Sequence, residues 1–269
     1  MFSSVRWENL IRTHLRAIAA IAWFDGILPI KRSPFDLVNF VLSPLTILFF
    51  IYIFAPSEAA FAVGGALIAV IVGSCIILET EAAFIRLVVR LQDMFVASSL
   101  SSVTYVIGLS VAQLFHGLGG IILFSVLISL SGKITFIGGM EIAVASILTW
   151  ASISALGFMI STFARDIRDL WVYSPLLNVL LSFLPPVFYQ MTLIPANLRF
   201  LAYLSPTTYT AQIIQQANGL IPSSTTLSDI IPQAGGSAIS LLLFDFAGAI
   251  IYTVILAFLA ARLARWRQK

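Results

Sequence analysis

The chain has 269 residues, 59% of them hydrophobic and 10% charged, with a formal net charge of +3. Its mean hydropathy of +1.01 lies far outside the soluble globular range, and so small a charge leaves no footprint for nucleic acid. The apolar residues fall into about six continuous runs, each near the ~20 residues a helix needs to cross a bilayer, rather than the short alternating segments of a β-barrel. The expected fold class is all-α, a polytopic membrane protein with six transmembrane helices and a single transmembrane domain over 1–269.

The first stretch, 1–33, reads as an amphipathic N-terminal helix and a link. At ~100° per residue, Arg6, Asn9, Arg12, Thr13 and Arg16 share one face, and Trp7, Leu10, Ile11, Leu15, Ile18 and Ala22 the other. A cationic face opposite an apolar one with tryptophan suits a helix lying in the membrane interface. A solvated helix packed on a partner is the alternative. Arginines interrupt this stretch and no small-residue cleavage site follows, so no cleavable signal peptide is expected.

Residues 34–100 hold spans one and two and a charged segment. The first span runs over 35–54, with Pro44 as an expected kink. The second covers 59–78 and carries Gly64, Gly65, Gly73 and Ser74, small residues that let helices approach closely. From Glu79 to Ser99 the pattern changes. Arg86, Arg90 and Asp93 form a polar stripe, and Phe84, Val88, Leu91 and Phe95 an apolar one. A short amphipathic helix is expected there, because an arginine in the bilayer core costs roughly 2.5–3.5 kcal/mol.

Residues 101–192 hold spans three to five: 103–130, 142–163, and one from Trp171 to Pro185-Pro186, which must break it. Residues 193–236 are too apolar for an ordinary loop and too interrupted for a span, which fits short re-entrant or interface-lying helices. The stretch 237–269 gives span six and a basic tail. Thirteen of the fifteen Lys and Arg fall on the side of the termini, leaving Lys133 and Arg199 on the other. The excess marks the cytoplasmic side, so both termini are expected in the cytoplasm and the protein in the cell membrane.

No nucleotide-binding G-x-x-x-x-G-K-[ST] occurs, and no H-E-x-x-H or G-x-S-x-G. One cysteine and two histidines without ligand spacing leave no expected metal site, and no catalytic residue is assigned. Glu79, Glu81 and most other acids lie near membrane edges, where they read as anchors. Asp245 lies deeper, in the sixth run, and is a candidate for the substrate path, with Phe49, Phe50 and Tyr52. His116 reads as a hydrogen-bonding group between helices or as a proton carrier. The aromatics of both outer ends read as an interfacial belt or as an apolar gate; the gate candidates are Pro185, Pro186, Phe188 and Tyr189.

The order of elements resembles the permease subunits of type-2 ATP-binding-cassette exporters, which move polysaccharides, lipid-linked glycans and drugs. The stretch ETEAAFIRLVVRLQDMFVASSLSSVTYVIG, 79–108, is similar to that family's coupling-helix region. LPPVFYQMTLIPANLRFLAYLSPTTYTAQ, 184–212, is similar to its external segment. Two departures stand out. A glycine frequent early in the coupling region is absent, and Ser99-Leu100-Ser101 replaces a frequent serine-proline. The resemblance implies a homodimer above two nucleotide-binding ATPase subunits, with ATP and Mg on those partners and no cofactor on this chain. Glu79, Glu81, Phe84, Arg86, Arg90 and Asp93 would then couple to the ATPase. Arg6, Trp7, Arg12 and Arg16 would place the N-terminal helix along the inner membrane surface, against lipid. Two other classes are weighed. A membrane-embedded lipid-modifying enzyme needs clustered carboxylates, and Glu79 and Glu81 point apart on a helix. An ion-coupled secondary transporter usually shows internal repeats, and none is visible.

Overall fold

The computed structural model describes residues 2–90, 101–130, 134–231 and 239–263, with side chains from Arg12 onward except that of Asp36. Helices follow in the order α1 (Phe2–Ala22), a π-helical turn (Trp23–Ile27), α2 (Leu28–Arg32), α3 (Phe35–Phe54), α4 (Ala59–Ile76) and α5 (Leu78–Phe84). Then come a second π-helical turn (Ile85–Val89), α6 (Ser102–Leu130), α7 (Phe136–Phe163) and α8 (Ile167–Ser182). Short α9 (Arg199–Ala202), α10 (Pro206–Ala217) and α11 (Leu227–Ile230) precede α12 (Leu241–Leu263). Among the described residues there is no β-strand beyond one isolated bridge, Thr226 to Ser240.

Among the described residues five helical stretches are long and apolar enough to cross a membrane: Leu37–Phe54, Pro56–Val89, Ser102–Leu130, Phe136–Phe163 and Leu241–Leu263. The expected fifth span is different. Its helix, α8, has 16 residues, or ~24 Å of rise, and stops before Pro185-Pro186. The chain then continues in irregular form. Ser174 of α8 meets Thr80 at 3.1 Å, and Gln190 beyond the break meets Glu58 at 3.3 Å. Helix plus irregular segment therefore run the length of the helix between Glu58 and Thr80.

The second span and the start of the charged segment follow one another along a 34-residue run, Pro56–Val89, and a turn at Ile77, between α4 and α5, marks the division expected near Leu78. The run ends where Arg90 takes a left-handed φ of 58°. This rod is the centre of the molecule. Its small residues admit close neighbours: Gly117 of α6 faces Ser74 Oγ, 2.9 Å from where a Cβ would stand, and Gly157 of α7 faces the Cys75 carbonyl at 3.3 Å. A Cβ on Gly65 would fall on the Val187 carbonyl of the broken segment.

Helix α1 packs along the first half of α6 rather than standing alone in an interface. His14 Nδ1 lies 2.8 Å from Thr104 Oγ1, Ile21 abuts Gly108, and Gly26 lets the π turn close on Ala112. Ile21 and Ala22 are buried, whereas Leu15 of the expected apolar face is 60% exposed beside Arg12 and Arg16. The side chains of Arg6 and Trp7 lie outside the described residues.

Helix α3 runs uninterrupted through Pro44. Its expected kink is not a break, because the proline removes one hydrogen bond within twenty residues of helix. Helix α7 starts at Phe136, earlier than the turn expected over 131–139, because the Thr135 side chain caps it by accepting from the Gly138 N–H at 3.0 Å. At the basic end Ile21, Leu78, Tyr105, Phe158 and Ala260 share one apolar cluster. The larger cluster fills the rest, around α4, α7 and α10.

Candidate functional site

At the basic end, the rod presents the predicted coupling residues unequally. Phe84 is 39% and Val88 55% exposed, and Arg90 is exposed at the tip. Glu79 is fully buried and accepts a short hydrogen bond from Ser174 Oγ, joining the rod to α8. Arg86 is turned inward. Its guanidinium donates to the carbonyls of Ser161 at 2.6 Å, Thr162 at 3.1 Å and Ala164 at 2.8 Å. Those carbonyls lie in the last turn and C-cap of α7, where carbonyls run short of backbone donors, although Ser161 also accepts from the Ala164 N–H at 3.3 Å, and a cation there meets the negative end of the helix dipole. The expectation that Arg86 shares a free stripe with Arg90 is thus corrected: Arg86 caps a helix 76 residues away in sequence. Asp93 lies outside the described residues.

At mid-height a cavity of about 460 Å³ opens between α3, α4 and α8, with Phe40, Ala69, Ile77, Trp171 and Asn178 in its wall. Helix α3 stands almost free beside it, and only 6% of its span is buried. The path candidates Phe49, Phe50 and Tyr52 are 60%, 53% and 71% exposed on that helix, and the Phe50 and Phe54 rings stack at 6.2 Å. They line the free face, not the cavity wall. A second cavity of about 300 Å³ adjoins the first toward the basic end, where Asp25, Glu81, Gln113 and His116 meet. Burial raises the Asp25 carboxyl above its usual range, and His116 partly offsets the shift. Sequence reading places Glu81 with the coupling residues and treats His116 alone. The contact between them is made by elements far apart in the chain.

At the far end, the broken segment is held by a buried polar helix. Residues freed by Pro185-Pro186 find donors in α10: Gln215 Nε2 donates to the Pro186 carbonyl at 3.2 Å and Thr207 Oγ1 to the Leu181 carbonyl at 2.6 Å. Arg199 ties the segment further, donating to the carbonyls of Thr192, Ile194 and Ile230. This satisfies the rule that irregular backbone at membrane depth must be covered by protein. Of the gate candidates, Phe188 is 4% exposed and stacks on Phe183 at 5.3 Å. It belongs to the core, because Val187 and Phe188 fill the groove at Gly65. Tyr189 is half-buried, its hydroxyl donating to the Leu184 carbonyl at 2.8 Å. Pro185 and Tyr189 line an apolar cavity of about 580 Å³ whose other walls are leucines, and Leu184 and Leu204 beside them are exposed.

Asp245 is fully buried. Gln216 Nε2 donates to it at 3.2 Å, and the Gln212 amide, with nitrogen toward the carboxylate, donates at 2.9 Å. Asp245 therefore ties α12 to α10 and is buried between them. Its partners on α10 lie 29 and 33 residues earlier, beyond any local spacing signal.

The molecule is thus a multi-pass helical membrane protein built on a central helical run, Pro56–Val89, with a broken segment at one end and a basic end at the other. Residues 18–217 match the family described as ABC-2 type transporter. That match covers well over half of the chain, and the chain belongs to this family. It is a transport permease and not a catalytic domain, which displaces the reading as a lipid-modifying enzyme. Comparison with curated proteins returns no match.

Proposed function

We propose that the chain is the permease of an ATP-driven exporter. It moves an amphipathic, hydrophobic or lipid-linked substrate out of the cytoplasm or the inner leaflet, along a path at the interface of two copies. Permeases of this family generally work with an ATP-binding subunit. In this reading two such subunits hold the ATP and Mg, dock at the rod tip around Phe84, Val88 and Arg90, and drive the change. The chain crosses six times, the fifth crossing being α8 plus the irregular segment to Gln190. That even number puts both termini on the cytoplasmic side of the cell membrane, as the charge distribution favours.

The observation that carries the reading is the free face of α3 beside the cavity it shares with α4 and α8. An apolar helix face suits lipid, but a large cavity opening next to it is closed only if something covers that face. A second copy related by a two-fold axis does so and turns two cavities into one path. Cysteines placed singly at Phe49, Phe50 and Tyr52, in membranes that also contain the ATPase, should cross-link copy to copy. Cross-linking confined to the equally apolar outer face of α12, at Ile251 or Val254, would reject this interface.

A further inference from the structure

The 300 Å³ cavity toward the basic end is lined by several polar and titratable side chains, and no part of the permease reading uses it. Three elements build it. The π-helical turn after α1 brings Asp25, the rod brings Glu81, and α6 brings Gln113 and His116. His116 Nε2 lies 2.9 Å from the Asp25 carbonyl. A carbonyl only accepts, so Nε2 carries the hydrogen and the ring is fixed. The carboxylates of Asp25 and Glu81 make no hydrogen bond among the described residues. Neither does the Gln113 side chain, although Gln113 is only 3% exposed and its amide lines the cavity. An amide that no protein group pairs and that faces the cavity is free to bond whatever occupies that space.

The charge balance points the same way. Two carboxyl groups face one imidazole, and burial holds the Asp25 carboxyl above its usual range. A carboxylate in such surroundings favours a cation brought by a ligand. The neighbouring space sets the shape of that ligand. Asn39, Phe40 and Ile77 line this cavity and also the larger one between α3, α4 and α8, whose lining is mostly apolar. Ile77 and Glu81 are four residues apart on the rod and share one face, so a single turn leads from the apolar wall to the carboxylate.

We propose that the two adjoining cavities form one binding site for a cationic amphipath. An ammonium head lies between Asp25, Glu81 and Gln113, and an apolar body lies along Phe40 and Trp171. That such a molecule is cargo rests on the permease reading; that it binds does not.

The test is saturation binding of radiolabelled dodecylammonium to the full chain in lipid nanodiscs, with empty nanodiscs subtracted. Unlabelled dodecylammonium should displace the probe. Methylammonium, which has the head alone, and dodecyl sulfate, which has the tail with the opposite charge, should each be at least about tenfold weaker. The isosteric variants Asp25→Asn and Glu81→Gln should each weaken binding by a similar factor with an unchanged thermal unfolding midpoint. Equal displacement by dodecyl sulfate or by methylammonium overturns the assignment without recourse to any variant. So does the absence of saturable binding above empty nanodiscs. Capture of a nucleotide-binding ATPase is scored on the same preparations. Capture without cation-selective binding rejects this ligand class alone. Selective binding without capture supports the site and counts against the permease reading instead.

Discussion

Two arginines on the rod separate structural from functional charge. Arg86 satisfies three carbonyls at the end of α7, and hydrogen bonds from a charged donor are worth ~1.5–3 kcal/mol in net stability. Arg86→Gln should therefore lower the thermal unfolding midpoint of the purified chain. Arg90 sits at a φ of 58°, where a residue with a Cβ costs roughly 1–2 kcal/mol and glycine does not. Arg90→Gly should leave the midpoint unchanged or higher, yet cut the ATP hydrolysis that substrate stimulates in the reconstituted complex. A midpoint that falls for Arg90→Gly, with coupling intact, would reject a docking role for the tip. The sequence shows both residues four apart on an amphipathic pattern. It cannot distinguish them, because the carbonyls that claim Arg86 lie at the end of another span. Glu79 and Asp245 repeat the lesson. Asp245 was legible as an acid deep in an apolar run and Glu79 as an anchor at a membrane edge, but their partners, the α10 glutamines and Ser174, were not legible.

Helix α10 explains why the segment after the fifth crossing is neither loop nor span. Its residues PTTYTAQIIQQA are polar on every turn, and nearly all are buried. A helix of that composition is stable inside the protein only where its side chains have work: the broken backbone on one side and Asp245 on the other. Asp245→Asn should be tolerated, since an amide still accepts from one glutamine. Asp245→Leu strands Gln212 and Gln216 and should cost ~1–3 kcal/mol for each group left unpaired, read as a lower unfolding midpoint in detergent. Equal stability of the two variants would show that the lock does not hold α10. Pro185-Pro186 made the break itself legible. The groove that receives it was only half visible, as Gly64 and Gly65 among other small residues, because a glycine announces a close approach and not the partner.

Across the whole molecule, charge placement carries the topology. Single cysteines at Ser57 and Ser223 should react with an impermeant maleimide added outside intact cells, and a cysteine at Ser4 only after permeabilisation. Reaction at Ser4 in intact cells would overturn the orientation and the six crossings together. Hydropathy counts apolar residues and does not register that α8 stops after 16 residues and the chain goes on in irregular backbone, or that helix resumes after Ile77 as far as Val89.

The run from Pro56 to Val89 has a mechanical side. A helix is stiff along its axis, and a rod of 34 residues is ~50 Å long, longer than the bilayer core is thick. Between its exposed tip and the point where Gly65 bears on Val187 lie the π-helical turn Ile85–Val89 and the turn at Ile77 that joins α4 to α5. Arg86 and Glu79 fasten its lower third to α7 and α8. A displacement at the tip is therefore shared with α7 and α8 before it reaches the opposite face.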